Sequence, residues 1–141
     1  MEIRAAGAPS APSDASYLVL RVLSIVCGIV ILAQGVWAGV FLQRDGARNP
    51  RWIDVHATGA HVATILTAVT LLWTLWRLRV RRDLIRGAVL LFVLTLLESY
   101  VGGLIRDDQK FALTVLHVPL AMVLVGVVVW LPITALPIQR D

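Results

Sequence analysis

The sequence predicts an all-α protein of the membrane, a polytopic antiparallel bundle of four transmembrane helices. Hydrophobic residues make up 58% of the 141 residues and charged residues only 16%, whereas soluble domains are roughly half apolar and a quarter charged. Four long apolar runs follow one another along the chain. The connections between them are short, which favours antiparallel neighbours. The single cysteine, Cys27, excludes a disulfide scaffold.

The four apolar runs cover residues 17–42, 53–76, 84–105 and 111–135. Each is as long as the roughly 20 apolar residues that a helix needs to cross a bilayer. None alternates apolar with polar residues, which excludes the strands of a membrane barrel. We therefore expect a transmembrane domain at 17–135 and, before it, a disordered tail at 1–16, which is small, polar and rich in proline. Residues 136–141 form a short second tail.

Arginine residues predict the orientation of the bundle. The connection between the second and third runs contains Arg77, Arg79, Arg81, Arg82 and Arg86 against one aspartate. Cytoplasmic loops carry an excess of Lys and Arg, so this connection and both termini are expected in the cytoplasm. The net charge of +4 therefore reflects topology, and we expect no binding of nucleic acid.

One strongly polar residue falls at a similar depth in each run. These are Gln34, His61, Glu98 and His117, six to eight residues from the predicted outer end of their helices, or roughly 9–12 Å below the outer boundary. Ionisable residues inside a membrane span are costly and mark a functional site by default. We therefore treat these four residues as a candidate site.

The two histidines predict a haem site. Imidazole is a good iron ligand, and axial ligands hold a haem and tune its potential. The second and fourth helices of an up-down bundle are diagonal, so His61 and His117 are expected to face each other as axial ligands of one haem b. Gln34 and Glu98 would be their hydrogen-bonding partners. His56 lies five residues before His61, about 140° around the helix, and is interpreted as an interfacial residue that leaves a secondary or alternative ligand as the lesser possibility.

Three stretches resemble one half of heme A synthase, a family built of two similar four-helix halves. AQGVWAGVF and HATGAHVATILTAVTLL resemble the first two helices of a half, and ESYVGGLIRDDQKFALTVLHVPLAMVLVGVVVWL the last two. The resemblance covers about residues 24–131 and extends to small uncharacterised four-helix bacterial membrane proteins. It implies a bacterial plasma-membrane location and places His61 and His117 at ligand positions.

Departures from the family pattern change the expected activity. The family has a functional glutamate one turn before the histidine of the second helix, where this chain has Ala57 and Thr58. The paired cysteines of the family's outer loop are absent, and only one half is present. The sequence therefore predicts the binding of one haem without haem A synthesis, and it leaves open whether the protein is an enzyme.

Three functions remain open from the sequence. The first is a b-type haem protein for electron transfer or haem handling near the outer leaflet. The second is a cofactor-free accessory or assembly subunit whose polar layer holds helices together. The third is a proton or ion pathway, against which the apolar inner halves of the helices argue. The expected partners are the lipid bilayer and a membrane redox partner or larger complex, with further copies of the chain as another candidate.

Overall fold

The computed structural model describes residues 12–42 and 50–135, which form four long helices. They are α1 (Asp14–Leu42), α2 (Pro50–Arg77), α3 (Arg82–Arg106) and α4 (Thr114–Thr134), and a short 3₁₀ helix at Phe111–Leu113 precedes α4. No strand occurs within the described ranges. The prediction of an all-α protein is therefore confirmed, and all four helices are long and apolar enough to cross a membrane.

The helix bounds differ only slightly from the predicted runs. α1 begins at Asp14 rather than at residue 17, so residues 14–16 of the predicted tail belong to the helix. The rest of that tail up to residue 11, and the predicted tail at 136–141, lie outside the described residues. α2 begins at Pro50, where the fixed φ of proline suits the first helical position and its missing N–H costs nothing.

The helices pack in a ring. The backbones of α1 and α3 each lie close to those of both α2 and α4. In the part of the chain that the structure describes, the backbone of α1 does not come close to that of α3, nor that of α2 to that of α4. The indole of Trp73, near the end of α2, donates to the carbonyl of Ser16 at the start of α1 at 3.1 Å. In this ring α2 and α4 are diagonal, as the sequence predicted.

Buried leucines such as Leu20, Leu91 and Leu131 form the core between the helices, and hydroxyl-bearing side chains lie among them. Ser24, Thr70, Thr74 and Thr95 are buried, and each donates a hydrogen bond of 2.7–2.8 Å to the carbonyl four residues earlier. Because these hydroxyls are satisfied within their own helix, they can be buried without a partner on another helix. Other large apolar side chains are exposed, among them Ile29, Ile65 and Met122, as expected of a surface that faces lipid.

Arg81 connects three helices at the end where α2 leads into α3. Its guanidinium donates to both carboxylate oxygens of Asp83, at 3.0 and 2.7 Å, and to the carbonyl of Thr134 at 3.2 Å. It also lies 5.6 Å from the ring centre of Tyr17. The carboxylate of Asp83 raises the pKa of Arg81 above its usual value. The side chain is 12% exposed, so this arginine is a structural part of the bundle.

Candidate functional site

A buried carboxylate and an imidazole are in contact at the end of the bundle opposite Arg81. Oε2 of Glu98 on α3 contacts Nδ1 of His117 on α4. The Glu98 side chain is 8% exposed and that of His117 is 25% exposed. Gly102 lies one turn after Glu98, and a Cβ added there would be 3.5 Å from Cε1 of His117. The small residue therefore leaves room for the imidazole beside α3.

His56 on α2 is the second imidazole of this site. Its ring centre lies 6.4 Å from that of His117, and the two ring planes are 79° apart. Nδ1 of His56 lies 3.1 Å from the backbone carbonyl oxygen of Gln34 on α1. A carbonyl accepts only from a protonated nitrogen, so this contact favours the tautomer in which Nδ1 carries the hydrogen and Nε2 is the acceptor.

Gln34 lies where α1 and α2 approach each other most closely. A Cβ added to Gly59 would lie 2.1 Å from Nε2 of Gln34 and 2.5 Å from Cζ3 of Trp37, so only glycine allows these two side chains to lie against α2. Nε2 of Gln34 is 3.5 Å from the carbonyl of Val30. Oε1 of Gln34 and Oε1 of Glu98 are buried and have no hydrogen-bond partner among the described residues. Oε2 of Glu98 and Nδ1 of His117 are also buried, and they meet in an ion-pair contact rather than in a well-formed hydrogen bond.

The structure brings Glu98 and His117 into contact but not His61, which is exposed on the surface of α2. Gln34 reaches the site only through its backbone carbonyl, which lies against His56, while its side chain lies against Gly59. The expectation that His61 faces His117 across the interior therefore does not hold. His56, which we had interpreted as interfacial, occupies that position instead.

The sequence contains a signal for the correct face of α2. The buried residues Gly59, Ala63, Thr67, Thr70 and Thr74 recur every three or four positions. His56 continues this series at its start, since it lies three residues before Gly59. The residues near His61 follow a similar spacing, with Thr64 reaching Ser99 of α3 at 3.2 Å. Two series of small residues therefore lie on different faces of α2, one containing His56 and the other His61. The longer series, which contains His56, is the one that is buried.

The site contains imidazole, carboxylate and amide groups in an otherwise apolar bundle. No group of three or more His, Cys, Asp or Glu side chains is placed to hold a metal ion within residues 12–42 and 50–135. The arrangement is instead a pair of imidazoles from the diagonal helices α2 and α4. Nδ1 of His56 lies against an oxygen atom of α1, and Nδ1 of His117 lies against an oxygen atom of α3. Such a pair can hold an iron from two sides, or it can simply join the four helices.

Comparison with known proteins assigns no family to this fold and site. No protein-family model, no curated protein and no solved structure matches the chain.

Proposed function

We propose that the chain is a multi-pass protein of a bacterial plasma membrane, an antiparallel four-helix bundle with both termini in the cytoplasm. The contact between Trp73 and Ser16 joins the end of α2 to the start of α1, and that between His56 and Gln34 joins their other ends. The arginines around the turn between α2 and α3 favour a cytoplasmic position for that end. The histidine site would then lie toward the outer leaflet.

We further propose that the site binds one haem b, which His56 and His117 would hold. The observation that carries this proposal is the separation of 6.4 Å between the two ring centres. Imidazole nitrogens bind metals at about 2 Å, so two imidazoles this close would be able to hold one metal centre between them. Both histidines also have Nδ1 against an oxygen atom, the outer contact that is typical of metal-binding histidines.

The protein side chains would have separate roles in this haem site. The haem supplies one-electron chemistry when it is bound. Glu98 contacts Nδ1 of His117, and a hydrogen bond formed there would fix the ring and raise the basicity of its other nitrogen. The backbone carbonyl of Gln34 would accept a hydrogen bond from Nδ1 of His56 in the same way, but it carries no negative charge. The two ligands therefore differ in electron donation, and we propose electron transfer with a membrane redox partner, or haem handling, near the outer leaflet.

The absorption spectrum of the purified protein tests this proposal. Protein expressed with added haem should show a Soret band, and His56→Ala and His117→Ala should each abolish or strongly shift it. His61→Ala is the matched control, because it removes an imidazole from the exposed side of the same helix, and its band should be unchanged. Absence of the band in the wild type, or loss of the band only in the His61 variant, would contradict the assignment of His56 and His117.

A cofactor-free accessory or assembly subunit is the second candidate, and one observation favours it. Glu98 and His117 already contact each other directly, so this part of the polar layer joins α3 and α4 without any added group. This candidate predicts that no chromophore is seen under any expression condition and that the chain co-purifies with a larger membrane complex. We do not extend the proposal to haem A synthesis, because Ala57 and Thr58 stand where that chemistry requires a carboxylate.

A further inference from the structure

A groove on the outer surface of the bundle lies between α1 and α2. Its volume is about 710 Å³, within the range of small-molecule sites. The residues that line it are Val30, Trp37, Arg51, Asp54, Val55, Thr58, Gly59 and Val62. Neither His56 nor His117 lines it, so its occupant does not depend on whether the bundle binds haem.

The groove is polar at one end and apolar along the rest of its length. Arg51 and Asp54, both exposed, lie in the first turns of α2, and Val62 lies eleven residues after Arg51, or roughly 16 Å along the helix. Val30 of α1 faces the apolar part. Trp37 also lines the groove, and its ring lies against Gly59. A ligand that fits this profile has a charged head and a hydrocarbon chain.

The charges at the rim indicate the chemistry of that head. Arg51 and Asp54 are one helical turn apart and line the same groove. Arg51 therefore supplies the guanidinium group of the rim and Asp54 its carboxylate, which also lies 3.9 Å from Arg106 of α3. Guanidinium groups recognise phosphate through paired hydrogen bonds. The carboxylate accepts hydrogen bonds from a primary ammonium group, and a quaternary ammonium has none to donate.

We propose that this groove binds one molecule of phosphatidylethanolamine. Arg51 would hold the phosphate and Asp54 the ammonium group, and one acyl chain would lie along Val55, Val62 and Val30. Phosphatidylcholine offers no N–H to Asp54, and phosphatidylglycerol offers no cation, so both are expected to bind less tightly.

Native mass spectrometry of the delipidated full-length protein in mild detergent tests the proposal. Phosphatidylethanolamine, phosphatidylcholine and phosphatidylglycerol with identical acyl chains are added in equal amounts, and the bound fraction of each is measured. The wild type should retain phosphatidylethanolamine about fivefold more than either competitor, the ratio that one good charge contact provides. Arg51→Gln should lower the retention of all three lipids, and Asp54→Asn should remove the preference for phosphatidylethanolamine over phosphatidylcholine.

Arg86→Gln is the matched control, since it removes an exposed arginine at the opposite end of the bundle and should leave lipid retention unchanged.

Val62→Trp provides a second test that alters no charge. Val62 is 43% exposed, so a larger side chain fits without disturbing the interior, and it should fill the groove and displace the lipid. Equal retention of the three lipids by the wild type, an equal loss in the Arg86 and Arg51 variants, or a bound mass that corresponds to a quinone would overturn the proposal.

Discussion

Glu98 on α3 and His117 on α4 contact each other through Oε2 and Nδ1, and only 7% of Glu98 is exposed. Glu98 is also the only glutamate within the predicted transmembrane domain at 17–135. A carboxylate so deeply placed in a bundle this apolar is stable only with a partner. Removal of this contact should therefore lower the stability of the bundle and also disturb the candidate site.

Replacement of Glu98 by alanine should destabilise the bundle by about 1–2 kcal/mol, because Nδ1 of His117 then loses its partner in a low-dielectric interior. Glu98→Gln should cost less, since the amide oxygen still accepts a hydrogen bond. The free energy of unfolding in detergent micelles measures both effects. Asp108→Asn, an exposed change, serves as the control. Equal stability of the Glu98→Ala variant and the wild type would show that the contact contributes nothing.

Gly59→Ala should destabilise the bundle by about 1–3 kcal/mol, the usual cost of overpacking. The added Cβ would lie 2.5 Å from the ring of Trp37 and 2.1 Å from Nε2 of Gln34, and the indole cannot move as easily as the amide. Gly35→Ala is the matched control on α1, because nothing lies within 4 Å of its added Cβ. The control should be neutral or slightly stabilising, since alanine favours helix more than glycine. The midpoint temperature of thermal unfolding should therefore fall for Gly59→Ala and stay unchanged or rise slightly for Gly35→Ala.

Arg81→Gln should lower the free energy of unfolding by about 1.5–3 kcal/mol, the contribution of hydrogen bonds to a charged group. The change removes the two bonds to Asp83 and the bond to the carbonyl of Thr134. Arg81→Lys should restore only part of the loss, because lysine cannot form the planar paired contact. Arg79→Gln, at an exposed position in the same turn, should change stability by less than about 0.5 kcal/mol. A similar loss in the Arg79 and Arg81 variants would mean that net charge, rather than these bonds, is responsible.

The sequence alone was sufficient to predict four helices, because length and apolar content decide that outcome and both are visible in the chain. It did not decide which face of each helix points inward. In a membrane bundle both the interior and the lipid-facing surface are apolar, so the amphipathic contrast that reveals the buried face of a soluble helix is weak. His56 and His61 both belong to stripes of small residues. The packing of α1 against Gly59 places the series that contains His56 in the interior, and the greater length of that series is the one signal for it in the sequence.

Cys27 should react with a maleimide only when the bundle unfolds. Its side chain is 0% exposed, its Sγ lies 3.4 Å from Oγ1 of Thr70, and it is the single cysteine of the chain. A buried thiol is inert because neither water nor the reagent reaches it. Labelling followed by intact-mass measurement should therefore be slow in mild detergent and rapid in denaturant, with a rate that rises in the Gly59→Ala and Arg81→Gln variants. Rapid labelling of the folded wild type would contradict the packing of α1 against α2 described above.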